Sequence, residues 1–178
     1  DEAIDEELKR NLLKENLGDE MKVYEFRFKN FIGSKWLRFG EWGNDKHTRL
    51  FNRRMVKWND AEVHESLLHP QGVKKATIRG YVLHRTASSI NEYKNKMERY
   101  AALNAEKYFK QGKKAGMFKI YFSSIFSFII NYILRLGFLD GITGYDLAKV
   151  NALYTFLKYK RLHELNQQSG SLQSRKSS

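Results

Sequence analysis

The period of the apolar residues turns from mostly strand-like to helical near Ser88-Ser89, and that change limits what the chain can fold into. Before it, apolar residues tend to alternate, as they do along half-buried strands. After it they recur every three or four residues, as they do along helices. The reading is therefore an α/β chain in which mixed strands are followed by long C-terminal amphipathic helices.

The first part opens on a short helix, Glu6 to Asn16, with Leu8, Leu12 and Leu13 at helical spacing. Asp5 is placed to cap it, and Gly18 to end it. Met21 to Phe31 follows with mostly period-two alternation, which predicts a strand with one wet face; Tyr24 breaks the phase. Gly33, Gly40 and Gly43 punctuate a loop carrying Trp36 and Trp42. Thr48–Arg53 and Lys74–His84 read as further strands, the second with Gly80 at a bulge.

Ser88-Ser89 caps a helix predicted from Ile90 to Gln111, with Ile90, Tyr93, Met97, Tyr100, Ala101, Ala105 and Tyr108 as its stripe. Ile120 to Leu134 is the most apolar run, closed by Lys119 and Arg135. As a helix it would be about 22 Å long, short of the ~30 Å hydrocarbon core. That favours an interfacial or core helix over a spanning one, with Phe122, Phe126, Ile129, Ile130 and Ile133 facing the membrane in the interfacial case. A last helix is expected from Tyr145 to Leu165, and the Ser/Gln-rich stretch 166–178 reads as a disordered tail. The expected division is 1–86, a strand-rich part; 87–165, a helical membrane-associating extension; and the tail.

Charge points to an anionic partner. The formal net charge is +12, although the first twenty residues are acidic. The bases flank apolar runs, the arrangement suited to an anionic bilayer surface. No nucleic-acid-binding motif accompanies them, so nucleic acid is not an expected partner. There is no cysteine, which removes disulfides and thiolate metal sites. The acidic start is unlike a signal peptide.

His64-Glu65 is the leading site for chemistry. A carboxylate there can act as a general base, and an imidazole beside it can orient a phosphate. Equally, the pair can be a solvated glutamate and a half-buried histidine in a strand. Asp1-Glu2 can ligate a hard divalent cation or simply charge a helix start. Arg49, with Arg53 and Arg54, can pair with a diphosphate or lie on a wet face. Trp36, Trp42 and Trp58 can form a sugar platform or anchor a small core.

In order, Asp1-Glu2, Asn30–Arg38, Gly40-Glu41-Trp42, Arg49-Leu50-Phe51, Val63-His64-Glu65, Leu136–Gly141 and Tyr154–Tyr159 resemble the family 2 glycosyltransferases, most closely the bacterial lipopolysaccharide-core type. The resemblance covers about residues 1 to 165. It implies the C-terminal, acceptor-side part of a GT-A (Rossmann-like) enzyme, without the preceding nucleotide-binding half and inactive by itself. Asp1 would match the last Asp of the family's Asp-x-Asp-Glu motif and hold a divalent metal (Mg or Mn). His64 and Arg49 would lie at the donor diphosphate, and Glu65 would be the acceptor base. Trp36, Trp42 and Trp58 would line the acceptor pocket. Implied partners are a nucleotide-sugar donor, a glycolipid acceptor and an anionic membrane surface. The first Asp of the motif is missing, and Gly43-Asn44-Asp45 lacks the family's aromatic and proline. The competing expectation is a non-catalytic basic module that binds a membrane or polyanion.

Overall fold

The computed structural model describes residues 2–54, 57–58, 67–68 and 71–176. The chain is α/β. Its contacts divide it into two compact units, Asp1–Asn30 with Asn44–Arg85, and Phe31–Gly43 with Thr86–Ser178. The second unit thus takes in 31–43, a segment that reading along the chain groups with the strands.

The first unit is built on strands β1 (Glu2–Ile4), β2 (Lys22–Ile32), β4 (Lys46–Leu50) and β7 (Lys74–Ala87), with helix α1 (Glu6–Lys14). The ends of β2 and β7 extend into the second unit. Strand order runs β1-β7-β2, and β4 also pairs with β2. β1 is antiparallel to β7 with Glu2 opposite His84, and β4 is antiparallel to β2. Two-residue strands β5 (Lys57–Trp58) and β6 (Leu67–Leu68) form a separate antiparallel pair. β4 begins two residues before the expected strand and ends at Leu50.

The phase break in β2 has a physical cause. The register against β4 shifts between Tyr24 and Glu25, so Val23 and Tyr24 are both buried. From Tyr24 onward the alternation is clean, and Tyr24, Phe26 and Phe28 join Leu8, Ile78 and Val82 in one core. Asp5 Oδ1 accepts from the Leu8 and Tyr81 amides at 2.8 and 3.1 Å. It therefore caps α1 and ties it to β7 in one stroke. Leu8 and Leu12 face that core, while Leu13 is 81% exposed. Residues four apart share a helix face, and residues five apart do not.

The second unit holds β3 (Lys35–Leu37), a 3-10 turn (Gly40–Trp42) and helices α2 (Ile90–Lys110), α3 (Met117–Ile129) and α4 (Ile142–Lys176). Ser89 caps α2 by accepting from the Glu92 amide, while Glu92 Oε2 accepts from Ser88, a form of capping box. α2 and α3 both pack on α4. Ala101 and Ala105 have no exposed surface, and their small side chains let α4 approach α2 closely. α3 begins three residues before the expected apolar run and passes into a π turn, Ile130–Leu134. A 3-10 turn, Gly137–Asp140, leads into α4. α4 stays helical through Lys176, where composition predicts a loose tail. Asn166 anchors this stretch by hydrogen bonds to the Ala115 amide and the Lys113 carbonyl.

Asp140 pins the loop before the first 3-10 turn. It is 5% exposed, and its carboxylate accepts from the Arg38 amide at 3.2 and 3.0 Å and from Phe39 at 2.9 Å. Asp140→Ala would leave these donors unpaired and is expected to destabilise the chain by about 3 kcal/mol. Urea unfolding checks this; a loss under about 1 kcal/mol would mean that water replaces the carboxylate.

Candidate functional site

In the first unit a polar group surrounds Phe28. Asn30 is 1% exposed and would be costly to bury unpaired. Its Nδ2 donates to Asp45 Oδ2 at 2.7 Å, and its Oδ1 lies 2.8 Å from His84 Nδ1. An amide oxygen only accepts, so His84 Nδ1 donates this hydrogen bond. Asp45 Oδ1 also meets His47 Nε2 at 2.8 Å. The rings of His47 and His84 both stand edge-on to Phe28. Arg49 lies over the same ring at 5.0 Å, and its Nη2 donates to Glu2 Oε1 at 3.0 Å.

Arg49 is thus tied to Glu2, the second member of the Asp1-Glu2 pair. Both partners are about two-fifths exposed, so the pair contributes no more than ~1 kcal/mol to stability. Its interest is therefore in placing a guanidinium at the β1 end rather than in holding the fold. Asp1, His64 and Glu65 lie outside the described residues. Trp58 sits in β5, and its side chain is likewise outside them.

Trp36 and Trp42 belong to the second unit. The Arg38 guanidinium lies 4.3 Å from the centre of the Trp36 ring. Trp42 is half-buried, edge-on to Tyr93 at 5.1 Å, and packs on the cluster of Ile32, Leu37, Ala87, Tyr93 and Val150. Next to it a cleft of about 250 Å³ is lined by Glu41, Met97, Tyr100, Ser127, Asn131, Asn151, Tyr154 and Thr155. Asn151 donates to Glu41 Oε2 at 2.8 Å and accepts from the Tyr93 hydroxyl at 3.1 Å. Burial, with the Glu41 carboxylate adding to it, pushes the Tyr93 hydroxyl well above its ordinary value, so it stays a proton donor.

The outer face of α3 is apolar and uncovered. Phe122, Phe126, Ile129 and Ile133 are exposed there, and Ile130 is half-buried. Phe118, Tyr121 and Ile125 extend the same face. The inner face is polar and engaged, with Ser124 Oγ donating to the Ala152 carbonyl at 2.8 Å. Among the described residues, Met117–Leu134 is the one helical stretch long and apolar enough to cross a membrane by length and composition.

Sequence reasoning gave no site role to Asn30, Asp45, His47 or the Asn151–Glu41 link. Only Asn30 carried a signal, a polar residue at an inward position of an apolar alternation. Among the described residues no three histidine or carboxylate side chains converge as metal ligands.

Comparison with known proteins gives a consistent set of distant relatives. The chain is 26% identical over 132 residues to a Rickettsia prowazekii protein named "Uncharacterized glycosyltransferase". The match takes in 70% of this chain and 45% of that protein. Proteins of the same name in Rickettsia typhi and Rickettsia bellii match at 26% over 132 and 27% over 131 residues, with the same coverage. The chain thus spans less than half the length of the curated relatives it matches. No family model and no solved structure matches it.

Proposed function

We propose that the chain is the acceptor-side part of a glycosyltransferase, an inverting family 2 enzyme of the GT-A type. It would move a sugar from a nucleotide-sugar donor to a lipid-linked glycan or lipopolysaccharide-core acceptor. The observation that carries this reading is the match over 132 residues to proteins named glycosyltransferases. In the reaction, the Glu65 carboxylate takes the proton of the acceptor hydroxyl as its oxygen attacks the anomeric carbon from the side opposite the leaving group. The bond to the donor diphosphate breaks, and the nucleoside diphosphate departs with that electron pair. His64 and Arg49 orient the diphosphate. Asp1 is the residue assigned to a divalent metal, which when bound would offset the diphosphate charge.

The reading includes a seat at the inner face of the cytoplasmic membrane. An α3 that is apolar outside and hydrogen-bonded to α4 inside is suited to lying in the interface rather than spanning it. The chain is expected to sediment with phosphatidylglycerol vesicles at low salt and to be released as salt rises. Phe122→Asp is expected to weaken that binding by roughly 10- to 100-fold through lost ring burial. Unchanged sedimentation of the variant would remove α3 from the membrane contact.

The same exposed face favours a second reading, a membrane-binding module without catalysis. Sugar transfer by the complete gene product, assayed with a panel of nucleotide sugars and membrane glycolipid, decides between them. Product formation supports the transferase, and no product with any donor supports the module.

A further inference from the structure

We propose that Lys113, Lys119 and Lys158 form a phosphate-binding site for the headgroup of a membrane lipid. The proposal rests on the reading of the second unit as the membrane-seated part and names the residues that would do the seating.

The three ammonium groups share a cage of tyrosines. Lys158 Nζ lies 5.3, 4.9 and 4.8 Å from the ring centres of Tyr108, Tyr154 and Tyr159. Lys113 Nζ lies over the same Tyr108 ring at 3.9 Å, and Lys119 Nζ over the same Tyr159 ring at 5.1 Å. Among the described residues, none of the three forms an ion pair with a carboxylate. Elsewhere in the chain lysines do find partners, as Lys22 does with Glu15 at 2.7 Å.

Three like charges gathered around a half-buried member are unfavourable unless something answers them. Burial lowers the Lys158 ammonium below its ordinary value, and Lys113 and then Lys119 lower it further. The tyrosine faces offset part of this cost, but they are uncharged. A phosphate ester fits what is left over, because its several oxygens can accept from more than one ammonium at once.

What makes the phosphate a lipid's is the neighbouring surface. Lys119 follows Phe118, which is 79% exposed, and Phe118, Phe122 and Phe126 stack in a row along α3 at 5.3 and 5.9 Å. A charged head beside an acyl chain matches a basic cluster beside an aromatic row. A free phosphate or a nucleotide would gain nothing from the row and would therefore hold the cluster far more weakly than a lipid does.

The test uses the 178-residue chain and phosphatidylglycerol vesicles in phosphatidylcholine. Lys158→Gln is expected to weaken binding by about 10- to 100-fold, as a lost charge-assisted hydrogen bond does. Lys160→Gln, an equal charge change on the same helix, should cost only the ~5-fold of general surface attraction. Equal losses overturn the site while leaving the seating intact, and no vesicle binding by the wild type overturns both. Should Lys158→Gln fold poorly, the amino-group NMR signals of the wild-type lysines answer the question directly. Dihexanoylphosphatidylglycerol should shift all three, and inorganic phosphate at the same concentration should not. Equal shifts with inorganic phosphate overturn the lipid assignment, and no shift with either overturns the site. Sugar transfer is read separately, so its loss is not confused with these outcomes.

Discussion

Glu65→Gln in the complete gene product is expected to slow sugar transfer by about a thousandfold, with little change in donor KM. Glutamine keeps the size of the side chain and its hydrogen bonds but cannot take a proton. Positioned acid–base groups contribute roughly 10²- to 10⁴-fold, so a loss in that range marks the base. The fall should appear in kcat, because the proton moves only as the acceptor oxygen attacks. Circular dichroism and urea unfolding of the variant must match wild type for the comparison to count. The rival base in the first unit is His84, whose Nδ1 donates to Asn30. If Glu65→Gln keeps activity within about threefold while His84→Gln abolishes it, the base assignment moves to His84.

Gly80→Ala is expected to lower stability by about 4 kcal/mol. Gly80 has φ +110, a conformation in which a side chain is strained. A Cβ there would also run into the backbone of Leu8, the fully buried residue in the first turn of α1. The two costs add, because strain is local and the overlap pushes α1 off β7. The capping bond from Asp5 and the bond from Asn11 Nδ2 to the Arg79 carbonyl at 3.1 Å would be loosened together. For a chain of this length the melting temperature should drop by on the order of 10 °C. A drop of about 2 °C or less would show that α1 does not lie against this glycine. Gly112→Ala is the useful contrast, since its φ is +71 but nothing lies within 4 Å of a Cβ there. It should show the strain without the overlap, at about 1 to 2 kcal/mol.

Local chemistry made some of this legible. Asp5 and Ser89 are caps because their side chains answer amides three residues on, an interaction that needs no partner from elsewhere in the chain. The long strands and α2 follow from periods that one segment displays alone, and the phase break at Tyr24 was visible before its register shift explained it. The apolar run of α3, with a base at each end, is likewise readable, but whether a neighbour covers it is not.

The α/β class, the change from strand to helix near Ser88-Ser89, both caps and the apolar run of α3 follow from the residues in order. Which polar residues meet depends on how distant segments pack. Asp140 reaches the Arg38 and Phe39 amides across about a hundred positions, and Asn30 on β2 finds Asp45, just before β4, and His84 on β7. The same packing decides that Gly80 makes room for α1 and that Lys113, Lys119 and Lys158 share their tyrosines. The physical reason is one of range. Periodicity and capping are set by neighbours within a few residues, whereas pairing of buried polar groups depends on which segments fold together.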